Sequence, residues 1–156
     1  MNLVIYNFYT ENVLKAPIEK VWSILEDAES WPKWSRGFKK IEILGPEGKI
    51  QNGSVLDCEV KGSLPYSLRF KLEVTSTNSP LSMTYNADGH LRGTGKWELE
   101  ETDKGTVIKY WWDVGMTNPF FNFISKIGFI KKAMEKNHDR VMEQGHINLQ
   151  HQLDQM

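Results

Sequence analysis

The spacing of apolar residues changes twice along this chain, and the order of the changes limits the folds that it can adopt. Residues 3–14 are rich in β-branched and aromatic types and predict a strand. Between Ile18 and Leu25 the apolar residues recur at helical spacing, behind Pro17 at a first helical position. A short amphipathic helix is therefore predicted directly after the first strand.

From Lys39 to Met116 apolar and polar residues alternate in several short runs. Turn-forming sequences separate the runs, among them Gly-Pro-Glu-Gly at 45–48 and Asp-Lys-Gly at 103–105. Alternation with short turns predicts a meander of about six antiparallel strands, each with one packed face and one solvated face.

The helical spacing returns after Asn118, a plausible N-cap, and Pro119. The apolar stripe predicts one continuous helix from Pro119 to about Leu149, with Gly128 as a point of bending or close approach. Only this helix is long enough to cover the apolar face of the sheet. The sequence therefore predicts a two-layer α+β domain spanning residues 1–156, with the sheet wrapped around the last helix.

Two tryptophans, Trp31 and Trp34, lie three residues apart in the otherwise polar stretch Glu29-Ser-Trp-Pro-Lys-Trp-Ser35. Residues at this spacing share one side of a helical turn, so a second short helix is predicted here. Tryptophan buries a large apolar area, and the pair therefore serves either the fold or a ligand.

Bulk composition excludes several functional classes. The 156 residues include 19 Lys+Arg and 20 Asp+Glu, a formal net charge of −1 that predicts no nucleic-acid partner. The N-terminus lacks the pattern of a secretory signal, and no apolar run is long enough for membrane insertion. With Cys58 as the lone cysteine, these features predict a cytoplasmic protein.

The stretches Ala16-Pro-Ile-Glu-Lys-Val-Trp22 and Asp27-Ala-Glu-Ser-Trp-Pro-Lys-Trp34 carry a family resemblance. With the order of elements, they resemble the START-like (SRPBCC) superfamily, and more narrowly its bacterial polyketide cyclase/dehydrase and lipid transport branch. The resemblance extends from about Tyr9 to Leu149. It implies a helix-grip fold: a curved seven-stranded antiparallel sheet around a long C-terminal helix, with two short helices between strands 1 and 2.

The same resemblance implies a cavity between the sheet and the last helix, and the alternation indicates which side chains face it. In the last strand Tyr110 and Trp112 lie on the more apolar side, whereas Trp111 lies on the outer face. The predicted ligand-binding residues from the sheet are Leu56, Phe70, Leu72, Met83, Tyr85, Trp97, Tyr110 and Trp112. The alternative is a filled core made of the same side chains.

The C-terminal helix adds Ile124, Met134 and His138 to the predicted ligand-binding set. His138 lies on the apolar stripe, where it is either a ligand-binding or acid–base group, or a packed histidine bonded to a nearby carbonyl. In the glycine-rich stretch 89–95 a bulged hairpin is predicted, with Arg92 as a candidate partner for a ligand carboxylate. Cys58 is predicted to be a small buried residue, and neither a metal site nor a cofactor is predicted.

Three functions remain open on the sequence. The first is binding of a small hydrophobic ligand, such as a lipid, polyketide or aromatic compound, by a monomer or weak homodimer. The second is a cyclase or dehydratase in which His138 or Tyr110 moves a proton. The third is a protein-interaction module with a filled interior and an apolar surface patch that includes Trp111.

Overall fold

A computed structural model describes residues 2–44, 50–61 and 66–156, and the predicted turn at 45–48 lies outside these ranges. The described residues form one antiparallel sheet of seven strands in the order β1-β7-β6-β5-β4-β3-β2. The strands are β1 Tyr6–Leu14, β2 Phe38–Leu44, β3 Val55–Val60, β4 Leu68–Asn78, β5 Ser82–Gly89, β6 Leu91–Thr102 and β7 Gly105–Met116. The helices are α1 Ile18–Leu25, α2 Trp31–Trp34, α3 Pro119–Ile124 and α4 Gly128–Asp154, with a short 3₁₀ helix, Ala28–Ser30, before α2.

Strands β2 to β6 are each paired with the next strand along the chain, as the predicted meander requires. Strand β1 pairs with β7, so β1 and β2 form the two edges of the sheet. The helices between them therefore connect one edge to the other, at one end of the sheet.

Alternation of side chains places the apolar ones on a single face. In β4, Leu68, Phe70, Leu72 and Val74 are buried, while the charged residues between them are exposed. This burial agrees with the predicted faces, because successive side chains of a strand point to opposite sides.

Helices α1 and α2 bury their apolar sides against the end of the sheet. Val21, Trp22 and Leu25 are buried in α1, which begins one residue after Pro17. The Trp31 ring packs 5.4 Å from that of Phe38 and 5.1 Å from that of Trp97, and its indole N–H donates to the Leu25 carbonyl at 2.9 Å. The tryptophan pair thus packs against the sheet, as the interpretation that it serves the fold predicts.

The C-terminal helix is interrupted, so the prediction of one continuous helix from Pro119 is wrong. The Asn118 side chain caps α3 as predicted, accepting hydrogen bonds from the amides of Phe120 and Phe121. Helix α3 ends at Ile124, and α4 begins at Gly128. The break is accompanied by hydrogen bonds between this region and the N-terminal residues, described below.

Helix α4 lies against the sheet most closely near its C-terminal end. Its buried residues are Gly145, Leu149 and Leu153. Two hydrogen bonds fix this region: Asn148 Nδ2 donates to the Trp34 carbonyl at 3.1 Å, and Lys15 N donates to Gln150 Oε1 at 2.7 Å. The N-terminal part of α4 is less buried, and the cavity described next lies between it and the sheet.

Candidate functional site

A cavity of about 250 Å³ lies between the concave face of the sheet and α4. Its wall is mostly apolar and includes eight of the residues predicted to bind a ligand. From the sheet these are Phe70, Leu72, Tyr85, Trp97, Tyr110 and Trp112, and from α4 they are Met134 and His138. The interior at this point is therefore not filled by side chains.

Three other predicted ligand-binding residues lie elsewhere. Leu56 and Met83 are almost fully buried in the packed core, outside the cavity wall. Ile124 is half-buried on α3 and is also outside the wall, because the chain turns between α3 and α4. Leu56 and Met83 face inward as predicted, but they pack against other side chains and do not line the cavity.

Several wall residues lie outside the predicted ligand-binding set. Trp31 and Trp34 both line the cavity, so the side chains that close the end of the sheet also bound the pocket. Phe38 and Val60 line it from β2 and β3, and Phe8 lines it from β1. The spacing of Trp31 and Trp34 in the sequence places both on one side of a helical turn. That spacing does not tell whether this side faces the core or the cavity.

The cavity wall is built on a series of packed aromatic rings. Trp97 lies 5.8 Å from Tyr85 and 6.2 Å from Tyr110, both edge-on. The Trp112 ring lies 5.8 Å from Tyr85 and 6.0 Å from Phe70. Such tilted and edge-on contacts fix ring orientations, and they present a rigid aromatic surface to a bound molecule.

Glycine makes room for one of these rings. A Cβ atom at Gly95 would overlap the Tyr85 ring, which lies across the β6 backbone at this position. Gly95 therefore relieves crowding between the β6 backbone and the Tyr85 ring. Arg92 lies outside the cavity wall, exposed and paired with Asp88 at 3.1 Å, and does not approach the pocket.

His138 is the histidine that lines the cavity most deeply. Its ring stacks on Phe8 with centroids 3.7 Å apart and planes inclined by 17°. Burial lowers the pKa of His138 to about 4, although the nearby Asp139 carboxylate opposes the shift. The imidazole is therefore neutral at pH 7, and it can donate from one nitrogen and accept at the other.

Titration of the largely buried His138 makes the free energy of unfolding depend on pH. Because the pKa of His138 is lower in the folded state than in the unfolded chain, its contribution to this free energy is complete above about pH 6.5 and is lost as the pH falls toward 4. From pH 7 to pH 5, we expect the wild type to lose about 2 kcal/mol more free energy of unfolding than His138→Phe, which does not titrate. Urea denaturation of both proteins at the two pH values measures this difference. Equal losses in the wild type and His138→Phe would show that the pKa of His138 is not lowered in the folded state.

Three buried polar atoms of wall residues have no hydrogen-bond partner among the described residues. They are Trp34 Nε1, Asn137 Oδ1 and His138 Nδ1. His138 Nδ1 lies 4.0 Å from Asp139 Oδ1, beyond hydrogen-bond distance. A buried polar atom without a partner is costly, and each of these three atoms is available for a hydrogen bond to a molecule in the cavity.

Other titratable groups in the interior are neutral at physiological pH. Burial raises the pKa of the Tyr85 and Tyr110 phenols above the ordinary value, and it raises the pKa of the Cys58 thiol to about 12. Cys58 is buried as predicted and is not a thiolate nucleophile. The Trp111 ring lies on the outer face, 5.2 Å from its cross-strand neighbour Tyr9.

Within residues 2–44, 50–61 and 66–156, no group of three His, Cys, Asp or Glu side chains is arranged to hold a metal ion. None of the helices in these ranges combines the length and the apolar character needed to cross a bilayer.

Comparisons with known proteins agree with this architecture. A family profile described as polyketide cyclase/dehydrase and lipid transport matches residues 7–149. A search of curated proteins found no match.

Several solved structures share the fold. A START superfamily protein from Mycobacterium smegmatis is 17% identical with a TM-score of 0.70, and the match covers 97% of each chain. The Zhui aromatase/cyclase from a Streptomyces species is 15% identical with a TM-score of 0.71, covering 97% of this chain and 94% of that one. A protein from Thermus thermophilus is 17% identical with a TM-score of 0.74, covering 92% of this chain and 97% of that one. The predicted helix-grip architecture is thus confirmed.

Proposed function

Because the chain belongs to the polyketide cyclase/dehydrase and lipid transport family, we propose that it binds a small, largely apolar molecule in the cavity between the sheet and α4. The observation that carries the proposal is an apolar cavity whose wall residues include three buried polar atoms without partners among the described residues. Ligand sites usually combine an apolar wall with a few polar groups that set orientation.

The wall chemistry supports a ligand with a planar or aromatic body. Trp97, Tyr110 and Trp112 offer ring faces and edges, which favour stacked and edge-on contacts with another ring. The cavity volume of about 250 Å³ lies just below the usual range for ligand pockets, roughly 300–1,000 Å³. A compact aromatic or polyketide-like molecule fits this space better than a long lipid chain.

The polar atoms support a ligand that carries both acceptors and donors. The Trp34 indole N–H offers a donor, and the Asn137 side-chain oxygen offers an acceptor. His138 Nδ1 takes either role, depending on the tautomer. A hydroxyl or carbonyl group on an aromatic body would satisfy these atoms, which lie on α2 and on adjacent positions of α4.

A cyclase or dehydratase function receives less support from the site. Proton transfer works best when the pKa of the catalytic group lies near the working pH. His138 has a pKa of about 4, and Tyr110 has a pKa raised by burial, so neither group is matched to neutral pH. If a turnover is found, an unchanged rate after substitution of both residues would exclude them as acid–base groups.

A protein-interaction function with a filled interior is also less well supported, because the interior contains the cavity. Light scattering over a concentration series tests self-association through Trp111. A constant molar mass would count against it.

The first experiment is native mass spectrometry of the freshly purified protein, followed by organic extraction of anything bound. We expect a defined apolar molecule of low mass to accompany the chain. If the protein is free of ligand, the dye 1-anilinonaphthalene-8-sulfonate, which joins an aromatic body to one anionic group, serves as the probe. Absence of both a bound molecule and dye binding would count against the proposal.

Filling the cavity is expected to weaken binding. Met134→Trp inserts a larger side chain from α4 into the wall, and we expect at least tenfold weaker dye binding, a loss of more than about 1.4 kcal/mol. Ile147→Trp is the matched control, since Ile147 is exposed on the same helix and is outside the wall. Fluorescence titration measures both. Equal affinities would show that the dye binds elsewhere.

A further inference from the structure

In and just after the short helix α3, the polar residues Asn122 and Ser125 lie inside, while two of the three phenylalanines lie outside. Asn122 and Ser125 are 4% and 2% exposed, whereas Phe120 and Phe123 are each 64% exposed. Phe120 and Phe123 are three residues apart and therefore share one face of the helix. A helix on the surface of a protein in water normally has the opposite arrangement.

Specific hydrogen bonds hold α3 in this orientation. Asn122 accepts from the Val4 amide at 2.7 Å and donates to the Asn2 carbonyl at 3.1 Å. Ser125 Oγ accepts from the Tyr6 hydroxyl at 2.7 Å. The hydrogen bonds of Asn122 and Ser125 thus keep Phe120 and Phe123 pointing outward.

The exposed apolar surface continues into the start of α4. Phe129 is 75% exposed in the first turn of α4, and Ile127, just before it, is exposed as well. We call residues 119–132 the aromatic–lysine segment. Large apolar side chains grouped at a surface in this way mark an interaction site more often than scattered ones do.

Charge distinguishes this segment from the rest of the chain. Residues 114–134 contain Lys126, Lys131 and Lys132 and no acidic residue, although the whole chain has a net charge of −1. Lys126 and Lys132 are exposed, and no acidic group of the described residues lies within ion-pair distance of either. Lys131 lies over the Tyr6 ring at 5.7 Å.

We propose that the aromatic–lysine segment docks on the surface of a membrane that contains anionic lipids. The exposed phenylalanine side chains suit the edge of the acyl-chain region, and the neighbouring lysines suit the negatively charged headgroups. A second copy of this chain fits less well, because a two-fold contact would place the lysines of one segment against those of the other. The segment lies on the bilayer surface and does not span it.

The position of the segment connects docking with the cavity. Met134 and His138, which line the cavity, follow the segment on α4 within the next two turns. A membrane bound at 119–132 therefore lies beside the helix that covers the pocket. The docking proposal does not depend on which molecule the cavity binds.

The test is flotation of the full-length protein with vesicles of phosphatidylcholine containing about 30% phosphatidylglycerol, at low and high salt. We expect binding to these vesicles and little to phosphatidylcholine alone. Phe120→Gln/Phe123→Gln/Phe129→Gln is expected to weaken binding at least about tenfold. Lys126→Gln/Lys132→Gln is expected to weaken it about fivefold per lysine at low salt and to reduce its salt dependence.

Leu81→Gln/Ile147→Gln is the matched control, because both residues are exposed apolar residues outside the segment. It should bind vesicles as the wild type does, and circular dichroism and thermal melting should be unchanged for all the variants. Failure of the wild type to float, or equal flotation of the triple phenylalanine variant, would overturn the proposal. A concentration-dependent dimer that the triple variant loses, without flotation, would assign the segment to self-association instead.

Discussion

Replacing Trp31 with alanine is expected to lower the free energy of unfolding by about 3–5 kcal/mol. The side chain is 3% exposed and packs between Phe38 and Trp97. Its indole N–H donates to the Leu25 carbonyl, which would lose that donor. The substitution therefore removes a large apolar area, leaves a void beside the cavity and breaks a buried hydrogen bond. Urea denaturation measures the loss.

Two further variants separate the causes. Trp31→Phe keeps an aromatic ring and removes the hydrogen bond, so we expect a smaller loss than for alanine. Trp111→Ala removes the same side chain from the outer face, where it contacts Tyr9 and Lys96, and should cost about 1 kcal/mol. A loss at Trp31 no larger than that at Trp111 would contradict its assignment to the core.

Gly93→Ala is expected to destabilise the fold by about 4 kcal/mol or more, or to prevent folding. A Cβ atom at this position would overlap the Asp113 carbonyl oxygen of β7 and lie 2.8 Å from Val114 Cα. Carbon atoms that are not bonded pack at about 3.5–4.0 Å. The obstructing atoms belong to the backbone of a central strand, so relief requires the strands to separate.

Gly128→Ala is the control for this prediction, because no atom lies within 4 Å of a Cβ placed there. At the start of α4 the substitution should be neutral or stabilise by up to about 1 kcal/mol. Thermal and urea denaturation of both variants provide the comparison. Similar stabilities for Gly93→Ala and Gly128→Ala would contradict the close approach of β6 and β7.

Most of the sheet was predictable because alternation is a local property. The inward residues Phe70, Leu72, Trp97 and Tyr110 followed from the period of two, and the order of elements carried the family resemblance. The break between α3 and α4 was not predictable in this way. It accompanies hydrogen bonds that the Val4 amide donates to Asn122 and the Tyr6 hydroxyl donates to Ser125, and those donors are more than a hundred residues away in sequence.

The cavity wall was predictable only in part, for a related reason. The face of a strand residue follows from the pattern, but the distance between the sheet and α4 does not. Tyr85 and Met83 share the inward face of β5, yet Tyr85 borders the cavity while Met83 is packed in the core. His138 stacks on the Phe8 ring, a contact between two elements that no local spacing indicates.

The distribution of burial along α4 has a practical consequence. Its fully buried residues lie at Gly145 and beyond, whereas Met134 and His138 over the cavity are only partly buried, so this part gains less stability from packing. Local opening occurs first where few apolar side chains are buried. A molecule held beneath this part would supply the missing contacts, and at a hundredfold excess over its dissociation constant would add about 2.7 kcal/mol to the unfolding free energy. The melting temperature of the protein thus becomes a screen that ranks candidate compounds of any chemical class by the stability that each one adds.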